Sequence, residues 1–261
     1  MLNYFRILIK KGKIVIQRSI EYLDKIRELM KYIEENEYKN IKKAATLIVK
    51  SVKNGGVFHI FDNGHLLSHE AIGRAGGLMF PVPFRLDVSV DNPVPGRKVS
   101  KIRVPRDTLD GLARYVFSET NIVSGDVLLV NSVSGYQNFI VELALLAKKE
   151  GVNLIALTNL TYSRASKPKH KSGKKLYEIA DIVIDNHGVI GDAILEFPEL
   201  TMKVCPTSGV LAAIIYWMIT AEVVDEFLKE GIKPAIWASI NLPDADEINA
   251  KSYKEYLKRG Y

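Results

Sequence analysis

Apolar residues recur every three or four positions through residues 18–54, which is the spacing of an amphipathic α-helix. A polar stretch, 35–39, interrupts this pattern, and Gly55-Gly56 follows it as a helix-ending signal. The pattern therefore predicts two amphipathic helices that precede the main fold. We expect residues 1–54 to form an N-terminal helical extension and residues 55–261 to form a single compact domain.

Beyond residue 56 the chain alternates between short, continuously apolar runs and stretches with helical spacing. The apolar runs predict strands at 57–61, 126–131, 153–158 and 181–185. The helical spacing predicts one helix that ends at Arg74 and further helices at 139–149, 176–180 and 207–230. Strands that are apolar throughout and separated by helices are typical of a parallel sheet covered on both faces. We therefore predict an α/β fold, a doubly wound parallel sheet with helices on both faces. The proline-rich segment 81–105 is expected to be irregular.

Composition excludes several classes of protein. Of the 261 residues, 47% are hydrophobic and 25% are charged, which is typical of a globular chain rather than a disordered one. The single cysteine, Cys205, excludes a disulfide framework and a zinc site built from several cysteines of one chain. Residues 1–20 lack the apolar core of a signal peptide, and the longest apolar stretch, 210–220, is shorter than the roughly 20 residues of a membrane span. We expect a cytoplasmic protein that does not associate with membranes.

The charge balance favours small anionic partners. The chain has 36 basic and 30 acidic residues, a mild excess that suits phosphorylated metabolites. A basic run at 164–175 is either a solvated loop or a rim that steers phosphate, in which case His170 and Lys174 reach the ligand. Nucleic-acid binding is not expected, because aromatic residues are not interleaved with these charges.

A doubly wound sheet binds its ligands outside the carboxyl ends of its strands. Three loops are candidates for this position: two directly follow predicted strands, and one opens a predicted helix. In the first, Asn63 and Gly64 allow a ligand to approach the backbone, although an ordinary turn would have the same residues. In the second, Ser132, Ser134 and Gly135 offer short donors next to the amides of a helix N-terminus, a combination that suits phosphate oxygens.

The third loop, Cys205-Pro206-Thr207-Ser208-Gly209, opens the last long helix. Thr207 and Ser208 are candidate phosphate ligands there. Either residue would also serve simply as a helix N-cap.

Taken together and in this order, these segments resemble the sugar isomerase (SIS) domain family of phosphosugar-binding proteins. The loop Ser132-x-Ser134-Gly135 resembles the S-x-S-G-x-T phosphate loop of that family. The other matching segments are NGHLLSHEAIGRAGG (63–77), SGKKLYEIADIVIDN (172–186), GDA (191–193) and CPTSG (205–209). Two positions depart from the family pattern: Gln137 stands near the expected threonine, so that an amide replaces a hydroxyl, and Asp62 replaces the first glycine of the first loop.

The resemblance implies a reaction and a site. Phosphoheptose isomerases and ketose/aldose phosphate isomerases of this family interconvert sugar phosphates through an enediol, a route that needs no organic cofactor. The resemblance places a catalytic base at Glu70 and puts His65 in the substrate pocket. Family analogy also implies a homodimer or homotetramer.

Other roles for these residues stay open. His187 follows the last predicted strand and is a second acid/base candidate, whereas Glu70 would also suit the helix dipole. His65 and His69 have the four-residue spacing of a metal pair, but no third ligand is evident, so no metal is predicted.

The leading hypothesis is therefore an aldose–ketose isomerase acting on a sugar phosphate. One alternative is a non-catalytic sugar-phosphate sensor, although the acidic N-terminal helices are unlike a DNA-binding domain. Another is lyase, etherase or deaminase chemistry on an amino-sugar phosphate.

Overall fold

The computed structural model describes residues 8–10, 13–15, 17–63, 67–86, 108–109 and 111–261. The described chain begins with an antiparallel hairpin of two short strands, β1 (Leu8–Lys10) and β2 (Lys13–Val15). The proline-rich segment lies mostly outside the described residues. Its described beginning contains a strand, β4 (Val82–Phe84), that the sequence analysis did not predict.

One helix, α1 (Arg18–Lys53), replaces the two helices predicted for this segment, so that prediction was wrong. The polar stretch stays helical because its central residue, Glu37, is buried rather than solvated. One Glu37 oxygen lies 3.1 Å from His187 Nε2, and the other accepts a hydrogen bond from Asn40 Nδ2 at 3.1 Å. A buried carboxylate with partners does not end a helix, although in sequence it reads as a polar break.

Five parallel strands form the central sheet, which confirms the predicted fold class. Besides β4, the strands of this sheet are β3 (Phe58–Asp62), β5 (Val127–Asn131), β6 (Asn153–Thr158) and β7 (Ile182–Asp185). Their spatial order is β4, β3, β5, β6, β7. Pro83 lies in the edge strand β4, where the missing amide of proline is tolerated. The chain order reverses between β3 and β5, and ligands of such sheets bind outside the carboxyl ends of strands at this switch point.

Helices cover both faces of the sheet. They are α2 (Leu67–Ala71), α3 (Leu112–Ser118), α4 (Asn138–Lys149), α5 (Leu160–Ala165), α6 (Ser208–Lys229) and α7 (Ala245–Arg259), with one 3-10 turn at Leu176–Glu178. On one face, α1 and α6 pack against alternate strand residues such as Ile60 and Leu129. On the other face, α3 and α4 pack against Phe61 and Val130. Each fully buried Ile or Leu stabilises the folded state by about 1.5–3 kcal/mol relative to an exposed one. Because its buried residues pack in the same cluster as those of the sheet, α1 belongs to the same core.

Between β7 and α6 the chain forms a second antiparallel hairpin, β8 (Ala193–Leu195) and β9 (Val204–Pro206). Three non-glycine residues in this region have a left-handed backbone: His187, Asp192 and Cys205, with φ of 50°, 66° and 67°. Such conformations cost about 1–3 kcal/mol each and persist where surrounding contacts fix them, commonly at functional sites. No helix in the described part of the chain combines the length and the apolar character needed to cross a membrane.

Candidate functional site

A cleft of about 490 Å³ lies at the carboxyl ends of β3 and β5, at the switch point of the sheet. The loops that follow these two strands form one part of its wall. Asp192, the residues that open α6, and Tyr22 of α1 form another part. The cleft therefore brings together segments from both ends of the chain.

The loop between β5 and α4 presents two serine hydroxyls to this cleft. Ser132 is buried and Ser134 is partly buried, and both line the cleft. No hydrogen bond of either hydroxyl is seen within the described residues, and both serines line the open cleft. The loop leads directly into the N-terminus of the 12-residue helix α4, whose dipole favours an anion there. Hydroxyls and helix amides together suit the oxygens of a phosphate group.

Backbone hydrogen bonds fix the shape of this serine loop. The Ser132 amide donates to the Leu157 carbonyl at 3.0 Å, and the Gly135 carbonyl accepts from the Leu176 amide at 2.8 Å. Thr158 Oγ1 donates to the Val133 carbonyl at 3.0 Å. The backbone that carries the two serines is therefore held at several points without using their hydroxyls.

The loop after β3 is joined to the serine loop through side chains. Asn63 Nδ2 donates to Gln137 Oε1 at 2.7 Å, so the Gln137 amide nitrogen keeps its own donors for other partners. Asp62 accepts from Asn131 Nδ2 at 2.9 Å and from the Leu67 amide at 2.8 Å, which ties the ends of β3 and β5 together. Gly64 and His65 lie outside the described residues, and their predicted roles stay predictions.

Asp192 organises the side of the cleft where α6 begins. Its Oδ1 accepts from the amides of Thr207 and Ser208 at 3.0 and 2.7 Å, and its Oδ2 accepts from Ser208 Oγ at 2.8 Å. Burial alone would raise the pKa of Asp192, but the hydrogen bonds from Ser208 and Thr207 outweigh it and hold the pKa below its usual range. Thr207 is buried and its hydroxyl also lies 3.1 Å from Asp192 Oδ1. The contacts seen for Thr207 and Ser208 are with a carboxylate, and their predicted role in phosphate binding remains a prediction.

Three tyrosines line the cleft, and the sequence analysis missed all of them: Tyr22, Tyr136 and Tyr162. The Tyr22 hydroxyl donates to the Pro206 carbonyl at 3.0 Å across 184 positions of sequence. Burial, followed by the nearby Cys205 and Asp192, raises the pKa of Tyr22, so this hydroxyl stays neutral. Nothing local in the sequence distinguishes Tyr22 from any other tyrosine on a helix.

Glu70 and His187, both predicted to take part in proton transfer, are not among the residues that line the cleft. Glu70 Oε1 lies 3.4 Å from Trp217 Nε1 and 3.4 Å from an Arg74 guanidinium nitrogen. His187 Nε2 contacts Glu37, and its ring stacks on Tyr32 with centroids 6.3 Å apart. Both carboxylate and imidazole are chemically suited to proton transfer, and both roles stay predictions.

The basic run separates into different environments. His170 is buried, with Nε2 2.5 Å from Glu142 Oε2, and it lines a second cavity rather than the cleft. Lys174 is exposed. Its neighbour Lys175 is buried, and the Lys175 ammonium donates to three backbone carbonyls, those of residues 163, 164 and 166, at the end of α5. No group of three metal-ligating side chains occurs in the described ranges.

Comparison with known proteins gives the family. The sequence model of the SIS domain matches residues 21–159, from α1 to the end of β6. This chain belongs to the SIS domain family. The resemblance drawn from the sequence motifs is thereby confirmed, and the match begins inside α1, in agreement with the packing of that helix in the core.

Several curated relatives extend over nearly the whole SIS chain. A UPF0309 protein of Geobacillus kaustophilus is 35% identical over 92% of this chain and 94% of its own length. A UPF0309 protein of Listeria innocua is 33% identical, with coverage of 91% and 95%. Among solved structures, a phosphoheptose isomerase from Neisseria gonorrhoeae is similar over 79% of this chain and 95% of its own, with 16% identity and a TM-score of 0.49.

Proposed function

We propose that this chain binds a sugar phosphate in the cleft at the switch point and interconverts its aldose and ketose forms. The observation that carries the proposal is the pair of serines, Ser132 and Ser134, which line the cleft and whose hydroxyls make no hydrogen bond within the described structure. A ligand that supplies acceptors to both hydroxyls would satisfy them. Membership of the SIS family supports a phosphosugar as that ligand.

Phosphate suits this loop better than a neutral group does. The hydroxyls sit beside the N-terminus of α4, where the helix dipole favours negative charge. Hydrogen bonds to a charged acceptor contribute about 1.5–3 kcal/mol each, compared with about 1 kcal/mol for neutral pairs. The sugar would then extend from the serine loop towards Asn63, which is joined to that loop through Gln137.

The proposed isomerisation needs a base that removes a carbon-bound proton. Among the described residues that line the cleft, the carboxylates are Asp62 and Asp192, and each is occupied by hydrogen bonds that hold the fold. Glu70 is the candidate base because the resemblance to SIS isomerases places it there. It lies on α2, directly after the loop that follows β3, outside the described lining of the cleft, and its contacts to Trp217 and Arg74 are long. His65 or His187 would assist transfer of the hydroxyl proton.

Calorimetric titration tests the binding step. Aldose and ketose phosphates, and the same sugars without phosphate, are titrated into the native protein and into Ser132→Ala and Ser134→Ala. We expect each variant to lose about tenfold to a hundredfold in affinity for phosphorylated sugars. Ser252→Ala, on α7 and away from the cleft, is the matched control. Unchanged affinity in both loop variants would refute phosphate binding by this loop.

Proton exchange tests the chemical step. In heavy water, an enediol isomerase replaces a substrate carbon-bound hydrogen with deuterium, which NMR detects. Glu70→Gln should slow this exchange by about 10²–10⁴ while leaving binding largely intact. Tight binding of a sugar phosphate without exchange by the native protein would instead favour a sensor or a different reaction. Equal exchange by native protein and variant would exclude Glu70 as the base.

A further inference from the structure

Two helices begin at the cleft, and a carboxylate of the protein stands at the start of one of them. The serine loop leads into the 12-residue helix α4, whose dipole favours an anion. The 22-residue helix α6 begins at Ser208, which lines the cleft together with Asp192. The dipole of α6 favours an anion as well, but the Asp192 carboxylate already accepts the Ser208 amide. The two helix starts are therefore unequal as places for a phosphate.

The Asp192 carboxylate occupies the position of an anion at the start of α6. Burial alone would raise its pKa, but hydrogen bonds from Ser208 and Thr207 hold the pKa below its usual range, so the group is charged at neutral pH. Asp192 forms no ion pair with a cation in the described part of the chain. The amides of Gly209 and Val210, in the first turn of α6, donate to no described acceptor. The positive end of this helix therefore has a fixed carboxylate of the chain as its neighbour.

A second anion on this side of the cleft would meet the charge of Asp192 without a compensating cation. None of the described residues that line the cleft is a lysine, an arginine or a histidine. A phosphate ester is close to dianionic at neutral pH, and like charges that are close together repel one another most where water is partly excluded. This side of the cleft therefore disfavours a second phosphate or a carboxylate of a ligand.

The hydroxyl groups on the same side have already used their protons. The Tyr22 hydroxyl donates to the Pro206 carbonyl at 3.0 Å, and the Ser208 hydroxyl donates to Asp192 Oδ2 at 2.8 Å. Both hydroxyl oxygens can still accept a hydrogen bond. Asp192 Oδ2 also has room for a second donor, because within the described residues it accepts only from Ser208. These side chains therefore suit the hydroxyl protons of a sugar.

We propose that Asp192 is a specificity-determining residue that restricts the cleft to sugar phosphates with a single anionic group. This inference rests on the proposed function, because it takes the serine loop as the place of that one phosphate. The sugar hydroxyls would then donate to the acceptors beside α6. Sugar bisphosphates and phosphorylated sugar acids, which carry a second anion on the sugar, would be rejected.

Asp192→Asn removes the charge with little change to the hydrogen bonds. The asparagine oxygen can still accept from the amides of Thr207 and Ser208, and its nitrogen can donate to Ser208 Oγ. The 6-phosphates of glucose, mannose and fructose, and the corresponding 1,6-bisphosphates, are titrated calorimetrically into the full-length native chain and into this variant. We expect the ratio of bisphosphate affinity to monophosphate affinity to rise about tenfold or more in Asp192→Asn, because the second phosphate no longer meets a carboxylate.

Asp225→Asn is the matched control. Asp225 lies on the same helix, is exposed and does not line the cleft. This substitution also removes one negative charge from the chain, and it should leave the affinity ratio unchanged. Urea denaturation verifies that both variants are folded.

The native protein supplies a test that depends on no variant. It should bind each monophosphate that it accepts about tenfold more tightly than the corresponding bisphosphate. Equal or tighter binding of the bisphosphates would overturn the role of Asp192, whether or not Asp192→Asn folds. An equal rise of the ratio in Asp192→Asn and Asp225→Asn would also overturn it, because the total charge of the chain would then explain the effect.

Ser134→Ala separates this inference from the proposed function. If Ser134→Ala weakens monophosphate binding but the ratio is the same in the native protein and in Asp192→Asn, the role of Asp192 fails and the proposed function stands. If the ratio rises in Asp192→Asn but Ser134→Ala has no effect, Asp192 still excludes a second anion and the serine loop fails as the phosphate site. Absence of binding of all six sugar phosphates, in the native protein and in Asp192→Asn, would overturn both.

Discussion

A substitution at Gly135 tests whether the shape of the serine loop matters for stability and binding. Gly135 has φ of +57°, and a Cβ added there would lie 3.1 Å from Leu176 Cβ and 3.4 Å from Thr158 Oγ1. In Gly135→Ala, the left-handed backbone costs about 1–2 kcal/mol, partly offset by about 0.4–1 kcal/mol from the stiffer unfolded chain. Crowding against the buried Leu176 adds about 1–3 kcal/mol, as overpacking does elsewhere. We therefore expect a loss of about 1–4.6 kcal/mol in the free energy of unfolding.

Gly173 supplies a matched control for this prediction. It also has a left-handed backbone, with φ of +70°, but no atom lies within 4 Å of an added Cβ. Gly173→Ala therefore isolates the backbone cost, about 0–1.6 kcal/mol after the same offset. The difference between the two variants in urea denaturation measures the crowding at Gly135. We also expect Gly135→Ala alone to weaken sugar-phosphate binding, because movement of its carbonyl away from the Leu176 amide would turn the serine hydroxyls.

Equal destabilisation by the two substitutions would refute this reasoning. It would mean that Leu176 moves aside without cost and that the loop is not held by that contact. Gly135→Ala could also be clearly destabilised and yet keep its sugar-phosphate affinity. The crowding at Gly135 would then be confirmed, but the direction of the serine hydroxyls would not depend on this residue.

Two further predictions concern buried charged groups. Burial lowers the pKa of His59, and this outweighs the opposing effect of its hydrogen bond to Asp126. The unfolded chain therefore binds a proton more readily at this residue. As a result, the free energy of unfolding falls as the pH drops below about 6.5. Urea denaturation at about pH 7.5 and about pH 5.5 should show a larger loss in the native protein than in His59→Gln, and identical losses would contradict this assignment. Lys175→Met removes the ammonium donor from three carbonyls at the end of α5, of which that of Ser163 keeps the Ser166 amide, and should cost about 2–4 kcal/mol. Exposed Lys174→Met should cost less than about 0.5 kcal/mol in the same assay. Similar values for both lysine variants would show that water replaces the ammonium of Lys175.

The sheet could be predicted from the sequence because its strands carry their own signal. In β5 and β6, nearly every residue is buried, so the apolar runs end within a residue or two of the observed strand ends. The edge strand β4 gave no such signal, because it has three residues and one of them is Pro83. The polar stretch in α1 was wrongly predicted to separate two helices for a different reason. His187, which contacts the buried Glu37, lies 150 positions away in the sequence. Local periodicity cannot report a pair of that separation.

Prediction of the site reached a similar limit. Ser132 and Ser134 could be nominated because their loop follows a strong strand and contains a glycine, and both residues line the cleft. Tyr22 could not be nominated, since it joins the cleft only when α1 packs beside β9. The basic run could be recognised as a cluster of charge. Tertiary contacts, such as that between His170 and Glu142, decide which residues of this run are buried, which line a cavity and which face solvent. The sequence alone does not show these contacts.

Hydroxyl residues after strands and before helices look alike in sequence, yet this structure divides them into two kinds. Those that open α6, Thr207 and Ser208, both contact Asp192, so part of their hydrogen-bonding capacity stabilises the start of that helix. The hydroxyls of the serine loop, those of Ser132 and Ser134, make no hydrogen bond to a carboxylate among the described residues, and backbone groups of the loop carry its structural hydrogen bonds instead. A phosphate is repelled by an ionised carboxylate and attracted by unpaired donors at a helix N-terminus. The position of Asp192, which no local pattern of hydroxyl residues reveals, therefore favours the serine loop over the start of α6 as the place where the phosphate would bind.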